Sequence, residues 1–186
     1  MAQKENQRIV LTKKLLQEGL LRLLESKSLD KISVTELCRE SGINRATFYN
    51  HYNSPQELLA DIEYKITKDL NQIIGSPRTT QEVIERTESV CTYFYNNSRS
   101  ILILHRCYSD GDINVTLHNL NQNFQLFHLN SRYTMNLNEE GRQLVTVFFY
   151  TGCYSLLLDW LQGDMKMTPK EVATLMIRLA TENFLD

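Results

Sequence analysis

Residues 44–52, with the order Asn-Arg-Ala-Thr-Phe-Tyr-Asn-His-Tyr, combine side chains that recognise nucleic-acid groups. Arg can form two hydrogen bonds with guanine in the major groove, and Asn can do the same with adenine. Hydroxyl and imidazole groups suit phosphate oxygens. Phe48 and Tyr52 lie four residues apart, so they are expected to share one buried helix face. We therefore expect DNA contacts from Thr35, Asn44, Arg45, Ala46, Thr47, Tyr49, Asn50 and His51.

Local signals predict the elements that position this segment. Ser33 and Glu36 fit a capping box, which predicts a helix from residue 34. Gly42 closes that helix, because glycine adopts the left-handed conformation easily, and Asn44 caps the next one. A three-residue turn between two short helices is typical of a helix-turn-helix, here residues 33–52. A second capping box at residues 54–57 predicts a third helix.

Residues 7–60 resemble the DNA-binding domain of the TetR-type (TetR/AcrR) regulators. The resemblance implies that Arg45 and Thr47 reach bases or the sugar-phosphate backbone, and that Tyr49 and His51 contact phosphate. Pro55 stands where members often have Lys or Arg, which implies one phosphate contact fewer. The matching positions are Ser33-Val34, Ser41-Gly42-Ile43, Thr47, Tyr49, His51-Tyr52 and Leu58-Leu59.

The whole chain of 186 residues predicts an all-α fold. Gly and Pro are scarce, at seven and three, and no alternating strand pattern occurs. Apolar periodicity and caps predict helices over 6–25, 34–41, 45–52, 55–74, 80–96, 98–108, 113–135, 139–162 and 169–184. We predict a three-helix DNA-binding domain over 1–53 and a larger helical domain for ligand binding and dimerisation over 54–186.

The charge distribution agrees with one DNA-binding end. Residues 1–53 carry nine Lys and Arg against six Asp and Glu, whereas residues 54–186 carry eleven against sixteen. The sequence contains no run of 18 apolar residues, so it predicts no membrane span. Its first residues lack the apolar core of a signal peptide. Four cysteines without paired spacing favour a reduced, cytoplasmic protein.

The last two predicted helices are candidates for a dimer interface. The helix over 139–162 is apolar nearly all round, so it must be buried on several faces. The resemblance implies dimerisation through the two C-terminal helices and hence a palindromic operator. The alternative, that these residues form the core of one protomer, stays open. The candidates are Phe149, Gly152, Leu156, Trp160, Val172, Leu175, Met176 and Leu179.

The resemblance also implies a small-molecule effector bound in the C-terminal domain. Aromatic residues with a few polar tips could line such a pocket. The candidates are Tyr93, Phe94, His105, Tyr108, Phe124, Phe127, His128, Phe148 and Tyr150. A metal-responsive regulator is the alternative, with candidate ligands His105, Cys107, His118, His128 and Cys153. We expect no cofactor.

These predictions combine into one function. The chain is interpreted as a dimeric DNA-binding repressor that a small molecule releases from a palindromic operator. An enzyme is disfavoured, because no nucleophile elbow, phosphate-binding loop or metalloprotease motif occurs. A co-regulator that uses this fold to bind a protein partner stays as an alternative.

Overall fold

The computed structural model describes residues 2–107 and 137–181, and all of their regular structure is helical. A short 3-10 helix, Leu29–Lys31, precedes α2. The α-helices are α1 (Ala2–Leu24), α2 (Val34–Ser41), α3 (Arg45–Tyr49), α4 (Pro55–Ile74), α5 (Thr80–Asn96), α6 (Ser98–Cys107), α7 (Glu139–Gln162) and α8 (Pro169–Thr181). The all-α class is therefore confirmed.

These helices are distributed between two compact units. The first comprises residues 2–66 together with 103–107, and it includes α1, α2, α3 and the first part of α4. Leu58, Leu59 and Ile62 of α4 belong to the same buried cluster as Leu16 of α1 and Phe48 of α3. This unit therefore extends past residue 53, where the sequence suggested the end of the DNA-binding domain. That the DNA-binding function is confined to residues 1–53 stays a prediction.

The second unit comprises residues 67–102 and 137–181 of the described chain. Within it α5 packs mainly against α8, and α5 also contacts α7. Val90, Cys91 and Phe94 of α5 are buried, as are Val172 and Met176 of α8. This apolar seam is the core of the second unit.

The connection between α4 and α5 is held by one arginine. Gly75 follows α4 with a φ of 48°, a left-handed conformation that glycine adopts without strain. Arg86 of α5 donates from Nη1 to the last carbonyl groups of α4, at 3.2 Å from Ile73 O and 2.8 Å from Ile74 O. Carbonyl groups that a helix end leaves unpaired are thereby satisfied.

The predicted helix boundaries agree closely with the observed ones. Asn44 accepts from Thr47 N at 2.7 Å, as expected for the cap of α3. Gly42 has a φ of 68° and ends α2, also as expected. The helix at residue 45 is shorter than predicted, since α3 ends at Tyr49 rather than near residue 52. The helix predicted over 113–135 lies outside the described residues.

The helix α7 has an unusual composition. Among the described helices it is the one that is long and apolar enough to cross a membrane, judged by length and composition alone. One such helix is weak grounds for a membrane span. The sequence predicted that α7 is buried on several faces, whereas only 19% of its apolar window is buried in the described structure of one chain. The sequence itself interrupts its apolar stretches with polar residues, as in Tyr154, Ser155 and Asp159.

Candidate nucleic-acid interface

The turn between α2 and α3 is set by hydrogen bonds at both of its ends. Gly42 N donates to Arg39 O at 3.4 Å, and Ile43 N donates to Cys38 O at 3.0 Å. Ser33 starts α2 by accepting from Glu36 N at 3.2 Å. The Glu36 carboxylate pairs with the Lys27 ammonium, instead of reaching back to Ser33 as a full capping box would require. Two short helices are thus joined by a rigid, capped turn.

The short helix α3 has one buried face and one exposed face. Phe48 is wholly buried and Tyr52, just after the helix, is 3% exposed. Phe48 and Tyr52 also contact each other, with ring centroids 6.1 Å apart. The side chains of Asn44, Arg45, Ala46, Tyr49 and Asn50 are exposed, and those of Thr47 and His51 are half-buried. The aromatic face therefore packs inward, and the residues predicted to contact DNA lie on the other side.

A carboxylate on α4 joins three parts of the first unit. Asp61 Oδ2 accepts from Tyr52 Oη at 2.6 Å and from Gln17 Nε2 at 3.3 Å. Lys13 Nζ of α1 lies 3.5 Å from the same oxygen and 5.1 Å from the centre of the Tyr52 ring. Sequence reasoning missed this group, because Tyr52 and Asp61 are on separate elements and no spacing rule links them.

The electrostatics of Tyr52 keep this arrangement intact at neutral pH. Burial, followed by the hydrogen bond to Asp61 and its negative charge, raises the pKa of the Tyr52 phenol well above its usual value. The phenol is therefore protonated and remains a donor over the physiological range. On α2, burial raises the pKa of the Cys38 thiol, which the nearby Arg45 partly offsets.

An apolar groove runs between α7 and α8 in the second unit. It encloses about 270 Å³ and is lined by Phe148, Phe149, Gly152, Cys153, Leu156, Met176 and Leu179. Leu144 is 65% exposed and Phe148 is 73% exposed, so this side of α7 is apolar and open among the described residues. Gly152 has no other atom within 4 Å of the position that a Cβ would take.

The candidates for a dimer interface fall into two groups. Val172 and Met176 are 1% and 2% exposed, so they are core residues of a single protomer. Trp160 is held within its own chain, since it stacks on Tyr95 and donates from Nε1 to Met167 O at 3.1 Å. Phe149, Gly152, Leu156, Leu175 and Leu179 keep some exposure along the groove or beside it.

The described candidates for an effector pocket have different surroundings. His105 belongs to the first compact unit, whereas Tyr93 and Phe94 belong to the second. Tyr93 donates from its hydroxyl to Asp69 Oδ2 at 3.2 Å, and Phe94 is buried in the α5 core. Phe148 is largely exposed on α7. Tyr108, Phe124, Phe127 and His128 lie outside the described residues, as does the side chain of Tyr150.

The candidate metal ligands fall partly within the described residues. Residues 2–107 and 137–181 hold no group of three His, Cys, Asp or Glu side chains arranged for a metal ion. His118 and His128 fall in the gap between these two segments. Burial raises the pKa of the Cys153 thiol to about 11, so this thiol is protonated at neutral pH.

Comparison with known proteins gives a family match and one relative. Residues 81–182 match the TetR_C_8 family, described as a transcriptional regulator C-terminal region. The HTH-type transcriptional regulator YxbF of Bacillus subtilis strain 168, itself uncharacterised, is 41% identical over 55 residues, which are 29% of this chain. The matched part is 14% of the length of YxbF.

Solved structures share the fold over nearly the whole chain. A TetR transcriptional regulator from Streptococcus agalactiae 2603V superposes with a TM-score of 0.70 at 20% identity, covering 98% of this chain and all of that one. The dihydroxyacetone kinase operon activator DhaS superposes with a TM-score of 0.59 at 14% identity, covering 92% and 94% of the two chains. The family match over more than half of the sequence, together with the capped helix-turn-helix, shows that this protein belongs to the TetR family of DNA-binding transcriptional regulators.

Proposed function

We propose that this regulator is a dimeric repressor, which reads a palindromic operator through α3 and is released from it by a small molecule. The observation that carries the proposal is the division of α3 into a buried aromatic face and an exposed polar face. A helix anchored in this way can enter the major groove as a rigid body and present its outer side chains to base edges.

Individual roles follow from the chemistry of the exposed side chains. Arg45, at the first position of α3, is proposed to bind guanine, and Asn50 is proposed to bind adenine or a phosphate. Asn44 uses its side-chain oxygen to cap α3, which leaves its amide NH₂ group to donate to phosphate. Thr35, Thr47, Tyr49 and His51 are proposed to contact the sugar-phosphate backbone.

The face between α7 and α8 supports the proposal of a dimer. TetR-family regulators bind DNA and usually act as dimers. A single five-residue reading helix offers few base contacts, whereas a twofold pair reads two half-sites about 34–36 Å apart. The apolar side chains of Phe149, Leu156 and Leu179 need a cover, which a second copy supplies, and Gly152 allows the two α7 helices to approach closely.

Repression and release by an effector are the finer parts of the proposal. DhaS, which shares the fold, is named as an operon activator, so the sign of regulation depends on where the operator lies relative to the promoter. An effector releases the protein when it binds the conformation with poor DNA affinity better than the other one. Such a regulator works where its operator DNA is, which we propose to be the cytoplasm.

The test is selection of duplexes from a random DNA pool at a stated salt concentration. The wild-type protein is compared with Arg45→Ala and with the control Arg78→Ala, which removes an exposed arginine from the second unit. We expect the wild type and the control to enrich the same palindrome. We expect Arg45→Ala to lose about 1–3 kcal/mol of discrimination at one base pair of each half-site.

Two other results would speak against the proposal. Enrichment of a sequence without twofold symmetry would contradict the dimeric reading. Equal, salt-sensitive binding of all sequences by the three proteins would contradict reading by α3 and favour a co-regulator that acts through a protein partner.

A further inference from the structure

We infer that Asp61 is a positioning residue for DNA reading, because it ties the end of the α3 segment to α1 and α4 through Tyr52. This inference rests on the proposed function of α3. It adds a residue that makes no contact with DNA but sets the orientation of those that do. All the residues involved lie in the first compact unit.

The α3 helix needs anchors outside itself. It spans five residues, and so short a helix is unstable without tertiary packing. Phe48 supplies one apolar anchor, since its side chain is wholly buried. Apolar contacts are not directional, so one buried ring restricts the tilt and rotation of a short helix less than a hydrogen bond does.

Tyr52 supplies the directional anchor at the other end of the segment. Its amide donates to Phe48 O at 2.9 Å, which continues the turn of α3. Its phenol donates to Asp61 Oδ2 at 2.6 Å, within the range expected for a strong bond to a carboxylate. Lys13 and Gln17 of α1 hold the same oxygen, so the position of Asp61 is itself restrained.

The residues next to Tyr52 give this anchor a functional consequence. His51 immediately precedes it, and Tyr49 lies three residues before it. If the Tyr52 ring shifts, these proposed phosphate contacts and the side chain of Arg45 move with it. A displacement of a base-contacting group by a fraction of an ångström weakens a bidentate bond but leaves general attraction to phosphate intact. Loss of the anchor should therefore reduce sequence discrimination more than overall DNA binding.

The test uses Tyr52→Phe, which removes the hydroxyl and keeps the ring, and Asp61→Asn, which removes the charge. Tyr64→Phe is the matched control, because Tyr64 is 67% exposed on α4. For each protein the Kd is measured with the duplex enriched in the selection above and with a random duplex at the same salt concentration. The midpoint of thermal unfolding is measured alongside.

We expect Tyr52→Phe and Asp61→Asn to bind the enriched duplex about tenfold more weakly, and the random duplex with little change. The double variant should lose no more affinity than the more weakly binding of the two single variants, because Tyr52→Phe removes and Asp61→Asn weakens the same bond. Tyr64→Phe should match the wild type. A lower unfolding midpoint with an unchanged ratio of the two Kd values would overturn the inference and leave Asp61 a purely structural residue.

Failure of the proposed function gives a different pattern. In that case the wild type and Arg45→Ala bind both duplexes equally, and the inference falls with the proposal. If Arg45→Ala loses discrimination while Tyr52→Phe and Asp61→Asn keep it, the proposed function stands and only the inference is overturned.

Discussion

The first compact unit buries the apolar side chains around α2 and α3, whereas the second leaves apolar side chains exposed along α7. In the described part of the first unit the exposed large apolar and aromatic side chains lie in α1 before residue 16, where Val10 and Leu11 are 64% and 57% exposed, at Tyr64 of α4, and at Tyr49 on the proposed DNA-reading face. Along α7, by contrast, Leu144, Val147 and Phe148 are each more than half exposed among the described residues. The difference indicates that the packing around α3 is complete within one chain, and that α7 presents a surface suited to another protein surface.

The strongest way to break this comparison is to open the core of the first unit. Phe48→Ala removes a wholly buried ring and should destabilise the first unit by about 3–5 kcal/mol. Urea unfolding followed by circular dichroism measures the loss, and binding of the enriched duplex should disappear. Val10→Ala, at a site on α1 that is 64% exposed, should change stability by less than about 0.5 kcal/mol. Wild-type DNA affinity in Phe48→Ala would contradict the role of the aromatic face.

The exposed face of the second unit is tested by a charge. Leu156→Asp places a carboxylate in the groove between α7 and α8, where a second copy would bury it without a partner. Because an unpaired buried charge costs on the order of 3 kcal/mol, the dimer should dissociate. Analytical ultracentrifugation at micromolar concentration should show a monomer with an unchanged helical spectrum. Ile84→Asp is the control, because Ile84 is an exposed residue of α5 that does not line the groove. This variant should keep the oligomeric state of the wild type. A dimer in both variants would place the interface elsewhere.

The link between α4 and α5 should contribute a smaller amount. Arg86→Ala removes two hydrogen bonds to carbonyl groups at the end of α4, and should lower the free energy of unfolding by about 1–2 kcal/mol. Gly75→Ala should also destabilise, because the new Cβ would collide with the Arg86 guanidinium at a positive φ. Urea midpoints measure both losses, with Arg78→Ala as the control. If backbone amide exchange at the end of α4 is as slow in Arg86→Ala as in the wild type, the arginine contributes nothing to the stability of that helix end.

The smallest expected effects come from removing the side-chain cap at a helix start, once in each unit. Asn44→Ala at α3 and Thr168→Ala at α8 each remove a side-chain acceptor from a helix start, and each should cost about 1 kcal/mol. Only Asn44→Ala should weaken binding of the enriched duplex. Equal losses of DNA affinity in the two variants would show that global stability, and not the position of α3, controls binding.

The second cap also has a predicted pH dependence. Hydrogen bonds from the Thr168 amide and hydroxyl lower the pKa of the Glu171 carboxyl in the folded state. The stability from this pair is therefore present above the usual carboxyl pKa of about 4.5, and it is lost as the pH falls through the folded value. Glu171→Gln, which removes the titrating group, should flatten the dependence of the unfolding midpoint on pH in that acidic window, whereas Thr168→Ala keeps the amide donor and should reduce the dependence only in part.

Local rules account for most of what the sequence could predict. The starts of α2, α3, α4 and α8 follow from side chains within three residues of each cap, so they can be recognised without knowledge of the fold. Tyr52 and Asp61 meet only after α4 has packed beside α3, and no local pattern encodes that meeting. The same holds for Arg86, whose partners lie at the end of the preceding helix.

The apolar face of α8 shows a second limit of sequence reasoning. Helical periodicity placed Val172, Leu175, Met176 and Leu179 on one stripe, but could not tell which of them face their own protomer. The structure divides them, because α5 covers Val172 and Met176 while Leu175 and Leu179 are each 36% exposed. The DNA contacts, the dimer and the effector pocket stay predictions, which the variants described above are designed to test.

The length of α3 sets how much information one protomer can extract from DNA. Since only Arg45 and Asn50 are proposed to read bases, one protomer specifies about two base pairs, or roughly four bits when each is read without ambiguity. Singling out one site among about 10⁶ competitors takes roughly 20 bits. Even two copies therefore fall short by direct reading, and the missing bits must come from the shape and stiffness of the bases between the half-sites. Operators of this protein should accordingly share an uncontacted centre with a recognisable composition.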